Sequence, residues 1–150
     1  MRGTVMAALA VALIAGGCGG DTKTNNAYID KVNKAQSDFV AVVDNSESRI
    51  QGNGSDKETA TQLGMIQAAA AKVVVKLRAI KPPEKVKTLH ATLVKEAQGL
   101  VTAFQKASDA YASGDPAKIL TAKVDLSKDI EQVNSQLNTT ITQLNNKLHS

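Results

Sequence analysis

Leu63, Ile66, Ala70, Val73, Leu77 and Ile80 follow one another at steps of three, four, three, four and three. That spacing puts all six on one face of a helix with 3.6 residues per turn. Three other stretches carry the same signature. One runs through Tyr28, Val32, Ala35, Phe39, Val42, Ser46 and Ile50, and another through Val86, Leu89 with His90 beside it, Leu93, Ala97, Leu100, Phe104, Ala107 and Tyr111. The last runs through Ile119, Ala122, Leu126, Ile130, Val133, Leu137, Ile141, Leu144 and Leu148. A chain with four apolar stripes has four faces to remove from water, and its fold has to bring them together.

The breaks between stripes are as specific as the stripes. Gly52-Asn53-Gly54 ends the first periodic stretch, which is expected to run from Ala27 to about Gln51. Ser55-Asp56-Lys57-Glu58 then spells a capping box, in which Ser55 accepts from the Glu58 amide while the Glu58 carboxylate reaches back. Pro82-Pro83 stops the second helix, because proline has no amide to donate and clashes with the preceding turn, and Pro83 suits the first position of a third. Gly114 is placed to end that helix, with Asp115 as N-cap and Pro116 in the first turn of the fourth.

Short connections make neighbouring helices antiparallel. The expectation is an all-α, up-down-up-down four-helix bundle over residues 27–150, with helices on the order of 40 to 50 Å long at 1.5 Å per residue. Four aromatic residues, no tryptophan and a single cysteine argue against a β-sandwich or a disulfide scaffold. A coiled-coil hairpin inside an oligomer is the other use of such stripes, but a closed bundle partners all four at once.

Catalytic patterns are missing. A di-iron bundle needs Glu-x-x-His pairs on two helices and further inward carboxylates, and none occurs. Ser37, Ser46, Ser108 and Ser127 have no histidine and orienting acid nearby, and Gly52-Asn53-Gly54 is not followed by the Gly-Lys-Ser/Thr of a phosphate loop. Tyr28, Phe39, Phe104 and Tyr111 fall on the stripes as core residues, not on a nucleic-acid stacking platform. His149 is a terminal residue. His90 is expected on the flank of its stripe with the ring half-buried, and it is the one side chain with the chemistry of a ligand or proton relay. Gly64 and Gly99 lie inside helices, where glycine costs about 1 kcal/mol relative to alanine, which points to close helix approach or to a notch for a ligand.

The N-terminus carries an address. Met1-Arg2 is a short basic start, Val5 to Ala15 an apolar run, and Ala15-Gly16-Gly17-Cys18 a small-residue segment ending in the only cysteine. The run is too short to span a bilayer, which takes roughly 20 apolar residues. The segment resembles a bacterial lipoprotein signal peptide, with the departure that Ala15 stands where a larger aliphatic residue is usual. The resemblance implies cleavage after residue 17 and lipid on Cys18, a palmitate-type anchor at the extracytoplasmic face of the cell membrane. Residues 18–26 then form a tether, Gly19-Gly20 followed by the polar stretch Asp21 to Asn26. The stretch Leu77 to His90, LRAIKPPEKVKTLH, resembles the helix-Pro-Pro-helix corner of small, uncharacterised helical lipoproteins of actinobacteria, and implies the fold and the anchor without an activity.

The function expected from these features is non-enzymatic. It is a lipid-anchored helical bundle that presents a surface to a protein or wall partner of the envelope, with no cofactor and no nucleic acid. The alternative is a binder of small molecules or metals with a pocket between helices near Gly64, Gly99 or His90. In the antiparallel topology the anchored end collects ten basic side chains against three acidic ones, whereas the far end has five against seven. Its centre is Lys72, Lys76, Arg78, Lys81, Lys85 and Lys87, a cluster expected to rest on anionic head groups. Lys85 and Lys87 would open the third helix, where the helix dipole disfavours them.

Overall fold

The computed structural model describes Leu13, residues 22–50 and residues 54–150. Cys18, the rest of the expected signal peptide, the first part of the tether and Gly52-Asn53 lie outside the described residues. Four helices follow in order: α1 (Thr22–Ile50), α2 (Asp56–Ala79), α3 (Lys87–Ala112) and α4 (Pro116–His149), with a short 3-10 turn, Glu84–Val86, ahead of α3. The fold is the expected all-α bundle. Asn25 at the start of α1 reaches Leu148 at the end of α4, and His90 near the start of α3 reaches Leu77 near the end of α2, which sets the alternating directions.

Local chemistry starts and stops these helices where the sequence says it should. The Ser55 capping box is complete: its hydroxyl accepts from the Glu58 amide, and the Glu58 carboxylate takes the Ser55 amide at 2.7 Å. The Ser55 amide and, at 2.9 Å, the Ser55 hydroxyl both donate to the Glu58 carboxylate and hold it below its ordinary range. The Asp115 carboxylate caps α4 by accepting from the amides of Ala117 and Lys118. Gly114 takes the left-handed conformation, φ 65°, that closes α3.

Two boundaries differ. α1 begins at Thr22, inside the stretch expected as tether, because the buried Asn25 side chain donates to the Leu148 carbonyl at 2.8 Å and pins the first turn to the end of α4. After Pro83 the chain takes the 3-10 turn before α3 settles into α-geometry at Lys87.

All six residues of the α2 stripe are buried, as are Val32, Leu93, Leu100, Phe104, Ile141 and Leu144. On α1, however, Val43 faces the core and Val42 only borders it, and Ile29 is as buried as its neighbour Tyr28. Packing runs α1 on α2, α2 on α3 and α3 on α4, while α1 and α4 stand apart along most of their length. The bundle therefore has one loose seam.

Candidate functional site

His90 sits deep at the lower end of the bundle, 6 % exposed, not on the half-buried flank expected for it. Its Nε2 lies 3.0 Å from the Leu77 carbonyl and its Nδ1 3.1 Å from the Tyr28 hydroxyl. A carbonyl only accepts, so Nε2 carries the proton, and the neutral Nδ1 accepts from Tyr28. The ring packs edge-on against Tyr28 with centroids 5.7 Å apart. Burial lowers the His90 pKa, opposed by the bond to Leu77, and burial pushes the Tyr28 pKa up to about 12. In this state neither ring nitrogen has a lone pair to offer a metal. His90 is a node joining α1, α2 and α3: at the end of α2 the Leu77 carbonyl accepts from the Ile80 amide at 3.0 Å, and the His90 ring adds a second donor from α3.

Between α1 and α4 the seam forms a groove. Gln36 and Phe39 line one wall, Leu137, Asn138 and Ile141 the other, and Ala70, Val73, Leu77, Leu93, Ala97 and Leu100 the floor. Its cavity is about 40 Å³, room for a few water molecules. An apolar small molecule would need α1 or α4 to move aside. Gly99 lies at the α3–α4 contact, where an added Cβ would stand 3.3 Å from a Val133 methyl, so it serves close approach. Gly64 is near Ser108, whose hydroxyl donates to the Ala60 carbonyl at 3.0 Å and joins α3 to α2.

A polar contact that the stripes do not foretell crosses α3 and α4. Thr140, 4 % exposed, donates to Oε1 of Glu96 at 2.9 Å, while Oε2 of Glu96 and Oδ1 of the buried Asn134 accept no hydrogen bond. Burial raises the Glu96 pKa, opposed by the Thr140 bond. Thr140 and Asn134 are each one position from a stripe residue, Ile141 and Val133, and Glu96 precedes Ala97. Only the rotation of α4 against α3 tells which neighbours of a stripe are also covered.

The basic residues divide by face. All six side chains from Lys72 to Lys87 are exposed. Lys72 and Lys76 border the groove between α1 and α2, and Arg78 turns the other way to bond Gln98 of α3 at 3.3 Å. Lys81, Lys85 and Lys87 gather at the α2–α3 corner. The dipole argument for the last two is answered locally: Lys85 donates to the Leu148 carbonyl at 3.4 Å, at the negative end of α4, and Lys87 pairs with Glu84 at 3.1 Å. His149 is the last helical residue, its ring 2.7 Å from the Asn145 carbonyl.

Among the described residues no cluster of three or more His, Cys, Asp or Glu side chains could hold a metal, and no helix is long and apolar enough to cross a membrane. No family model matches the chain, and no curated protein or solved structure matches it.

Proposed function

We propose that the protein is a non-enzymatic bundle tethered by lipid on Cys18 to the outer face of the cell membrane, its basic end against anionic head groups, where it presents its helices to a protein partner of the envelope. The observation that supports this reading most is the meeting of three chain segments at one end. Asn25 of α1 and Lys85 of the α2–α3 corner both bond the Leu148 carbonyl of α4. The start of α1, the end of the described helix nearest Cys18 in sequence, therefore lies at the α2–α3 corner that carries Lys81, Lys85 and Lys87. A tether shortens the distance over which those charges meet a surface, and each basic residue close to an anionic leaflet contributes about 1 kcal/mol.

Two measurements test it. Mass spectrometry of the membrane fraction of producing cells is expected to find acyl chains on Cys18, and an unmodified, freely secreted chain would overturn the anchor. The full chain carrying Cys18→Ser, which cannot be acylated, is expected to bind vesicles containing anionic lipid better than neutral ones. Added salt should weaken that binding. If Lys81, Lys85 and Lys87 are changed to Glu and the preference for anionic lipid persists, the basic end has no part in it.

A further inference from the structure

Leu13 lies in the apolar run ahead of Cys18, yet it is 3 % exposed and belongs to the core of the bundle. One α1 side chain holds its backbone from both sides. The Leu13 amide donates to Oδ1 of Asn33 at 3.0 Å, and Nδ2 of Asn33 donates to the Leu13 carbonyl at 3.0 Å. The exchange of both bonds with a single residue is how directly opposed residues pair in an antiparallel ladder. The Asn33 carboxamide does for the backbone of one residue what a neighbouring strand would do. Asn33 is one turn from Gln36, which lines the loose α1–α4 seam, and one turn from Ile29, which is 1 % exposed. This side of α1 thus offers a backbone clamp beside apolar cover.

We propose that Asn33 of α1 and the apolar cover beside it form a peptide-docking site, which clamps the backbone of one residue, buries its aliphatic side chain, and is filled by Leu13 until the N-terminal segment is removed. The occupant in the processed protein is an aliphatic peptide segment of a partner protein. A hydrocarbon chain has no paired amide and carbonyl to satisfy Asn33, so the clamp selects polypeptide over lipid. This deepens the reading of a partner-presenting bundle by naming the chemistry of the partner, and it is tested without a membrane, so either reading can fail alone.

The probe is a labelled synthetic peptide of residues 9–17 with two lysines appended for solubility, titrated by fluorescence anisotropy into full-length chains. The chain with Leu13→Asp, whose site is vacated, is expected to bind the peptide at least about ten-fold more tightly than the unaltered chain, whose site is filled. Adding Asn33→Ala to Leu13→Asp should weaken binding by about thirty-fold, about 2 kcal/mol, since it removes two hydrogen bonds. A peptide with Asp in place of its leucine at position 13 should not bind. Hydrogen exchange gives a readout that no peptide affinity enters: the Leu13 amide of the unaltered chain is expected to be protected, and Asn33→Ala to release it. Absence of binding to the vacated chain, equal affinity with and without Asn33, or an unprotected Leu13 amide would each overturn the proposal.

Discussion

Tyr28 and His90 are 62 residues apart, yet the hydroxyl of the first donates to Nδ1 of the second across 3.1 Å. The same ring donates from Nε2 to the Leu77 carbonyl, so one imidazole closes the lower ends of three helices.

His90→Leu leaves both the Tyr28 hydroxyl and the Leu77 carbonyl without this partner. The buried Tyr28 hydroxyl so orphaned costs about 1 to 3 kcal/mol, whereas the Leu77 carbonyl keeps the Ile80 amide at 3.0 Å. Tyr28→Phe removes one bond and leaves Nδ1 unpaired, and the expected loss is smaller, about 1 kcal/mol. Urea denaturation of the three proteins checks the order, and equal stability of all three would mean the node is idle.

The dependence on pH follows from the direction of two shifts. Burial lowers the His90 pKa in the folded protein, so the unfolded chain takes up the proton first. His90 favours folding fully above its ordinary value of 6.5, and that contribution is lost as pH falls through the lowered folded value. Glu96 works the other way: its pKa is raised above the ordinary 4.5, so its contribution is greatest below 4.5 and is lost as pH rises through the folded value. Glu96→Gln is expected to stabilise the protein at neutral pH, since an amide oxygen still accepts from Thr140 while the buried charge is gone. Melting curves from pH 4 to 8 should lose their acid limb in His90→Leu and gain height at neutral pH in Glu96→Gln.

Three glycines should respond differently to alanine. At Gly64 an added methyl meets only the Ser108 hydroxyl at 3.6 Å, ordinary contact, so helix propensity should stabilise the protein by up to about 1 kcal/mol. At Gly99 the methyl would press on Val133 at 3.3 Å and cancel much of that gain. At Gly114 the positive φ makes alanine strained, and a loss of about 1 kcal/mol is expected. Calorimetric melting temperatures should fall in the order Gly64→Ala, Gly99→Ala, Gly114→Ala.

Leu77 is 1 % exposed and Lys76 is exposed. Leu77→Asp puts a carboxylate into the core and is expected to unfold the chain or cost several kcal/mol, whereas Lys76→Asp should stay within about 1 kcal/mol of the unaltered protein. Far-ultraviolet circular dichroism at rising temperature distinguishes them, and equal melting would mean the α2 stripe faces water.

What the sequence by itself determined is the set of local decisions. Helix existence followed from the spacing of residues such as Leu63 to Ile80, the caps at Ser55 and Asp115 from side chains that reach only their own backbone neighbours, and the stop at Gly114 from the positive φ that glycine takes freely. These interactions act over three or four positions and leave their pattern in the chain. The tertiary structure alone decided that Val43 rather than Val42 faces the core, since a step of three or four is equally helical and only the position of the other helices breaks the tie. It also carried the helix back to Thr22, through Asn25 and a carbonyl 123 residues away. It turned His90 from a half-buried flank residue into a node with both nitrogens engaged, because Tyr28 and the end of α2 converge on it. The contacts of Thr140 with Glu96 and of Leu13 with Asn33 were unreadable in the chain for the same reason: their meaning depends on the rotation and separation of elements distant in sequence, and no local pattern encodes those.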